Sequence, residues 1–376
     1  YASDLNPIAN LLTWSALNIL GLSESKLNTV KAFQNRIFKY VDDKILDLKI
    51  ESNEEGHRAD SYLYCNEVLC PECGYKVPLA PSWIIGKGTK TVALLEDNGI
   101  DGFKINILQG ANKDDIEKAE NLVTVKNNYV YCPHCETQTN IQVIRKEKKF
   151  DDGTVNSGLR KWSKSEFIPK AEDVFQERLY CIRYNYKYID SNGKEKNIRY
   201  YTSPNNNDID RENRVIDILL KNFEEWQHKG YIPSDLIENG YNTSQPIRER
   251  GWQYWHQLFN HRQLLLIGLY SEAVHKFYKS KEELVVGILG INKFVNFNSK
   301  LSMWVNGAGV EKVVHVFTNQ ALNTFYNYGT RANIDLENLW SLNLKPWNIQ
   351  SNRNVELCDA RNNQKKCDIW ITDPPY

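Results

Sequence analysis

Apolar positions recur at helical spacing near the start and in the second half of the chain, with strand-like alternation between them. Leu27, Val30, Phe33, Ile37, Tyr40, Ile45 and Leu48 form one helical stripe. Ahead of it, Tyr1 to Leu5 reads as the end of a strand, and Asn6 followed by Pro7 reads as an N-cap and first helical position, opening a helix that Gly21 stops. Phe103 to Ile107 alternates as a strand. Residues 179–189 and 194–202 form a hairpin through Asp190-Ser191-Asn192-Gly193, and period-two counting puts Tyr180, Tyr184, Tyr186 and Tyr188 on one face. Helices are predicted over about 209–229 and 258–277. Another starts at the capping box Ser280-Lys281-Glu282-Glu283. A last one, beyond Gly307-Ala308-Gly309, carries Val313, Val316, Phe317, Ala321, Leu322 and Phe325. Strands return at residues 355–358 and 369–371, each followed by an acid, Asp359 and Asp373.

This order predicts an α/β protein in which both ends of the chain belong to one sheet, with a large α+β insertion between them. The expected divisions are 1–50, the start of that sheet domain; 51–170, a cysteine-bearing insertion; 171–350, a hairpin and helical region; and 351–376, the return to the sheet. Strands ending in Asp4, Asp359 and Asp373 would line up these acids along the carboxyl edge of a parallel sheet, where α/β proteins bind ligands.

Two Cys-x-x-Cys knuckles, Cys70-Pro71-Glu72-Cys73 and Cys132-Pro133-His134-Cys135, are the strongest local signal. Each tight turn aims two thiolates at one point, and two turns complete a tetrahedral structural zinc site. The intervening residues 74–131 exceed the usual ribbon spacing, so an insertion fills them. Disulfides or free thiols are the alternatives, but Cys65, Cys181, Cys358 and Cys367 add no paired framework. Cys65 and His134 are left as packing or solvated residues.

Composition narrows the partners. The chain has 376 residues, 41% hydrophobic and 25% charged, with 47 basic against 47 acidic side chains. Such a chain is an ordinary globular one with room for two or three domains. No global positive field exists, so any nucleic-acid contact must come from local patches. One candidate is Arg145, Lys148, Lys149, Arg160 and Lys161 with Trp162; the other is Arg248, Arg250 and Trp252. Cations interleaved with aromatics suit phosphate contact plus base stacking. A solvated face, diluted by Glu147, Asp151 and Asp152, is the competing reading. The apolar run Leu264 to Tyr270 is far short of the roughly 20 residues a membrane span needs.

The last residues carry the sharpest chemistry. Ile369 to Ile371 runs into Asp373-Pro374-Pro375-Tyr376, whose prolines forbid helix or continued ladder. Asp373 and the Pro374 carbonyl can each accept one N–H of a planar exocyclic amine while Tyr376 stacks on its ring. No Pro-Cys pair is present, which argues against a cysteine nucleophile.

With these motifs in order, the chain resembles the zinc-ribbon-containing adenine-specific DNA methylases, a family often found beside phage-defence genes. The resemblance rests on Tyr1-Ala2-Ser3-Asp4-Leu5-Asn6-Pro7, the two knuckles with Val77-Pro78-Leu79, Trp255-x-x-Leu258-Phe259-Asn260-x-Arg262-Gln263-Leu264, and Thr372-Asp373-Pro374-Pro375-Tyr376. It implies a Rossmann-like methyltransferase sheet with S-adenosylmethionine as cofactor. Asp4 would take the ribose, Asp359 the adenine amine, and Asp373, Pro374, Pro375 and Tyr376 a flipped target adenine of double-stranded DNA. Restriction-modification or phage defence in the cytoplasm, alongside other defence proteins, follows from the same resemblance. The family's glycine-rich cofactor loop lies upstream of Tyr1, so this stretch alone is expected to bind cofactor poorly and to be inactive. Cytosine N4, RNA bases or protein glutamine amides are alternative targets, and a non-catalytic zinc-ribbon binding module is the alternative class.

Overall fold

The computed structural model describes residues 1–151, 153, 155–241, 243–318, 327–342, 344–348 and 353–372. The chain opens with β1 (Ala2–Asp4) and α1 (Pro7–Asn18), where the Asn6 side chain accepts from the N–H groups of Ile8 and Ala9. Helix α2 (Glu24–Leu48) follows from a Ser23 cap and buries Leu27, Val30, Phe33, Ile37, Val41 and Ile45. Strands β2 (Arg58–Leu69) and β3 (Lys76–Leu79) come next. A small antiparallel sheet of β4 (Ile84–Gly86), β5 (Thr91–Asp97) and β6 (Phe103–Leu108) then leads to α3 (Lys113–Asn121). A second small sheet, β7 (Val125–Lys126), β8 (Tyr129–Tyr131) and β9 (Gln138–Asn140), runs into the single turn α4 (Ile141–Ile144). Beyond the short pair β10 (Lys148–Lys149) and β11 (Val155–Asn156) stands the long hairpin β12 (Gln176–Ile189) and β13 (Glu195–Thr202). Helices α5 (Asn206–His228), α6 (Ser244–Arg250), α7 (His261–Phe277) and α8 (Lys281–Val295) build the helical half. The hairpin β14 (Trp304–Gly307) and β15 (Val310–Val313), then β16 (Tyr328–Arg331), α9 (Asn333–Trp340) and β17 (Val355–Leu357), complete the described elements.

The architecture is mixed α/β around an antiparallel sheet ordered β13-β12-β2-β16, with β3 also paired to β2. Strand β2 is central and covered on both faces. Tyr62 and Tyr64 join Leu179, Ile182, Tyr184 and Tyr328 on one face, while Leu63 and Cys65 pack with Trp83, Ile85, Val92 and Ile105 on the other. The largest apolar cluster joins α2, α5, α7 and α9 through Ile37, Leu219, Trp226, Leu265, Tyr270 and Trp340. Helices α5 and α7 approach closely at Gly268, where a Cβ would lie 2.0 Å from the Trp226 ring.

A buried polar junction ties this helical core to the sheet. Glu212 on α5 accepts from the Tyr64 hydroxyl at 2.7 Å, from His261 Nε2 at 2.8 Å, and from Arg262 Nε. The Arg262 guanidinium also lies 3.9 Å over the Tyr62 ring and donates to the Ile50 carbonyl. Asn260 caps α7 reciprocally with Gln263, whose Nε2 reaches Thr330 Oγ1 at 3.1 Å. The Leu258-to-Leu264 stretch is therefore a structural hub in which every polar side chain has a fixed partner across elements.

Three expectations need correction. The start of the helix expected beyond Gly307-Ala308-Gly309 is instead β15 of a hairpin with β14, in which Gly307 pairs with Val310 and leaves Ala308 and a left-handed Gly309 (φ 81°) as a two-residue turn, and Val316–Thr318 form a single 3-10 turn. Of that expected helix, residues 319–326 lie outside the described residues. Tyr180 does not share a face with Tyr184, because a bulge between Leu179 and Cys181 turns Tyr180 to the Trp83 side. Residues 369–371 are not a strand: they have no ladder partner among the described residues, and Ile369 and Ile371 are 79% and 92% exposed.

Candidate functional site

The four cysteines of the knuckles converge. Cys70 follows the end of β2 and Cys132 the end of β8, and the two turns repeat one pattern. The Gly74 N–H donates to the Cys70 carbonyl at 2.8 Å, and the Glu136 N–H to the Cys132 carbonyl at 2.9 Å. Gly74 and Glu136 occupy matching left-handed positions, φ 76° and 58°. The Sγ atoms of Cys70 and Cys135 are 3.7 Å apart, as are those of Cys73 and Cys132, and all four lie within 4.8 Å of one another.

These separations decide between the chemistries. A disulfide requires about 2.05 Å between sulfurs. A tetrahedral zinc with bonds of about 2.3 Å sets its thiolates about 3.8 Å apart. The cysteine geometry fits a metal such as zinc. The Thr137 hydroxyl, 2.9 Å from Cys135 Sγ, holds that thiol below its ordinary value, whereas burial pushes the Cys132 thiol up. His134 stays outside: it stacks on Tyr75 at 3.5 Å, and its Nδ1 lies 3.0 Å from Asp97 Oδ2. Cys65 is sealed in the sheet.

The two expected cofactor-binding acids also come together. Strands β1 and β17 pair in parallel, with Asp4 opposite Leu357, so Asp4 and Asp359 sit at neighbouring carboxyl ends. The Cys358 N–H donates to the Asp4 carbonyl at 3.1 Å, and Asn363 Nδ2 donates to Ser3 Oγ at 3.4 Å. Asp4 Oδ1 accepts from the Asn6 N–H at 2.8 Å and so links the strand end to the cap of α1. Asp359 accepts from the Arg361 N–H and pairs with its guanidinium, which holds the carboxyl down to about 2. Among the described residues parallel pairing is confined to these two strands. Asp373, Pro374, Pro375 and Tyr376 lie outside the described residues.

The basic candidates divide. Trp162 and Trp252 are core residues, 2% and 1% exposed, packed edge to face. Arg145 is buried between Glu147 and Glu249, Arg160 pairs with Glu166 and Asp173, and Arg250 is buried against Asn66 and Glu177. The Arg145 and Arg250 guanidiniums serve buried ion pairs, which corrects their expected placement on a nucleic-acid surface, while Arg160 is engaged by its two carboxylates at a partly exposed position. Lys148, Lys149, Lys161 and Arg248 are exposed.

Sequence reasoning also missed a cleft of about 820 Å³ beside the first half of β12, lined by Tyr64, Glu177, Arg178, Tyr180, Glu212 and His261 among others. Its walls come from segments far apart in the chain, so no local motif could announce it. Its carboxylates are each matched within the protein: Glu177 by Lys300 and Arg250, Glu212 by Arg262 and His261.

No protein-family model, curated protein or solved structure matches this chain. No helix among the described residues is long and apolar enough to cross a membrane.

Proposed function

We propose that this protein is an S-adenosylmethionine-dependent methyltransferase acting on the exocyclic amine of adenine in DNA, serving restriction-modification or phage defence in the cytoplasm. The observation that carries the reading is the parallel pairing of β1 with β17, which sets Asp4 and Asp359 at adjacent strand ends. The sequence then reaches Asp373-Pro374-Pro375-Tyr376 a short way on.

In this reading β1 and β17 are neighbouring strands of a Rossmann-like sheet. The acceptor set suits an adenosine: two carboxylates match the ribose hydroxyls and the ring amine, with the solvent-exposed Arg361 side chain leaving Asp359 as the nucleoside binds. When bound, the cofactor supplies an electrophilic methyl group. Asp4 orients the ribose and Asp359 the adenine amine. Asp373 and the Pro374 carbonyl draw on the N–H groups of the target amine and free its lone pair, while Tyr376 holds the flipped base by stacking. The zinc centre is structural and takes no part in the transfer.

The test is digestion of DNA incubated with S-adenosylmethionine and the protein expressed from its complete reading frame, with methylated nucleosides identified by mass spectrometry. N6-methyladenine that disappears in Asp373→Ala is the expected result. N4-methylcytosine would change the target and keep the chemistry. No methylated base in DNA would overturn the reading in favour of an RNA or protein amide substrate, or of a zinc-ribbon binding module.

A further inference from the structure

We propose that the projecting end of the β12–β13 hairpin reads a groove of duplex DNA, a surface that rests on the methyltransferase reading for its choice of partner. Strand β2 ends its pairing with β12 at Arg58 and Asn185, so residues 186–189 pair with β13 alone. Four residues at about 3.3 Å each carry the ribbon about 13 Å beyond the sheet before the turn. A two-stranded ribbon fits the DNA major groove, about 12 Å wide and 8.5 Å deep, and this length reaches its floor.

The base of the ribbon is clamped. His57 stacks on Tyr186 at 4.3 Å, its Nδ1 lies 2.9 Å from the Tyr200 hydroxyl, and Asn53 Nδ2 donates to that hydroxyl at 3.0 Å. The arm therefore leaves the body in a fixed direction. Its charge differs from that of the chain, whose formal net charge is zero. Residues 186–199 carry four cations, Lys187, Lys194, Lys196 and Arg199, and two acids, Asp190 and Glu195. Lys187 and Glu195 pair at 2.8 Å with both side chains largely in solvent, a weak hold that a phosphate can displace. Lys196 pairs with Asp190 at 3.2 Å and is half exposed. Arg199 is tied at the base to Asp60.

Between these cations the ribbon exposes Tyr188, Ile189 and Ile198, at 38%, 74% and 36%. Aromatic and β-branched side chains on a projecting ribbon are suited to base edges and thymine methyl groups. The cation excess favours a polyanion over a protein surface.

The test is binding of a labelled duplex to the whole protein, without S-adenosylmethionine, between 50 and 200 mM salt. Each phosphate contact contributes about 0.9 to the slope of log affinity against log salt. The variant Lys187→Ala/Lys194→Ala/Lys196→Ala should lower that slope by about 2 to 3 and weaken binding at least tenfold at the lowest salt, with an unchanged thermal midpoint. An unchanged slope and affinity would overturn the proposal, as would absence of duplex binding or a preference for RNA or protein. Methylation by the unaltered protein, read in parallel, separates the two claims: modified DNA with salt slopes indifferent to the lysines removes the ribbon and keeps the enzyme. Lysine-dependent binding without methylation does the reverse.

Discussion

Removing one thiolate from the four-cysteine cluster gives the sharpest check on the site geometry. Cys132→Ser replaces a sulfur held 3.7 Å from Cys73 Sγ with a hydroxyl that binds zinc poorly. The unaltered protein is expected to hold about one zinc per chain and the variant a small fraction of that. The energetic consequence is local, because the knuckles sit on a separate apolar cluster of Val68, Val77, Leu79, Val125, Val130, Ile141 and Ile144. At a free metal concentration about a thousand times Kd, binding stabilises the folded knuckles by about 4.1 kcal/mol. Its loss should raise amide exchange there by about a thousandfold, at 1.36 kcal/mol for each factor of ten.

The assay is metal content by mass spectrometry together with hydrogen exchange, with and without chelator. Faster exchange is expected over residues 70–79 and 125–144, while central β2, β12 and α7 stay protected. Cys367→Ser, at an exposed thiol, and His134→Ala, whose ring is held by Tyr75 and Asp97, should keep the metal. Zinc near zero in the unaltered protein, a full complement in Cys132→Ser, or knuckle exchange indifferent to chelation would each refute the reasoning.

Acid lability should come in two steps. Buried His256 donates from Nε2 to the Glu166 carbonyl at 3.0 Å, and burial, helped by Lys300 and Lys164, lowers its pKa from 6.5 to about 4. The unfolded chain takes up that proton first, so stability is full above about pH 6.5 and falls by at most about 3 kcal/mol as pH drops towards 4; His256→Gln should flatten that part of the urea midpoint profile. Burial opposes the charge of Glu212, but Arg262 and His261 outweigh it and hold the carboxyl down to about 2, so its contribution is present above pH 4.5 and lost between 4.5 and 2. Glu212→Gln should cost about 3 to 5 kcal/mol in denaturant unfolding at neutral pH, because Arg262 is left buried without its counter-charge. Gly268→Ala gains about 1 kcal/mol of helix propensity. It should nevertheless lower Tm, because its Cβ would lie 2.0 Å from Trp226 and overpacking costs about 1 to 3 kcal/mol.

What the sequence made legible was local. The stripe of α2, the Asn6-Pro7 start of α1, the Asp190-to-Gly193 turn and both knuckles are each specified within a few residues, and each appears where the pattern places it. The central strand β2 went unread because Ser61, Tyr62, Leu63, Tyr64 and Cys65 are buried on both faces and show no alternation. Its flanking polar residues Asp60 and Glu67 look like solvent positions until Arg183 and Arg178, more than a hundred residues on, are brought against them. The same blindness misplaced Arg145 and Arg250. A cation with a remote carboxylate partner is indistinguishable in sequence from one facing solvent, and only the Glu249 and Glu177 contacts separate the two. Tyr180 shows a third kind of loss, since one bulged residue inverts a period-two count without any change in composition.

The cysteine cluster and the β1–β17 strand edge are linked through the helical core. Strand β2 carries Cys70 just beyond its last residue, and at its first residue Arg58 binds Asp42 on α2 and Glu51. Glu51 in turn accepts from the Asn333 N–H at the start of α9, so one strand spans from the cysteine cluster to the packing of α2 and α9. At the other end of α2, the returning chain crosses so close to Gly21 that a Cβ there would lie 2.3 Å from the Arg353 guanidinium, which donates to the Leu17 carbonyl at the end of α1. Two residues later β17 begins its pairing with β1. Residues more than 350 positions apart are thus brought to one strand edge by helices α1, α2 and α8, and the alignment of Asp4 with Asp359 depends on that core rather than on either short strand alone. A two-stranded parallel ladder of three residues has little stability of its own. The helical packing behind it must fix the separation of the two acids, which places the Glu212–Arg262 junction and the α2 stripe within reach of the proposed chemistry although neither touches it.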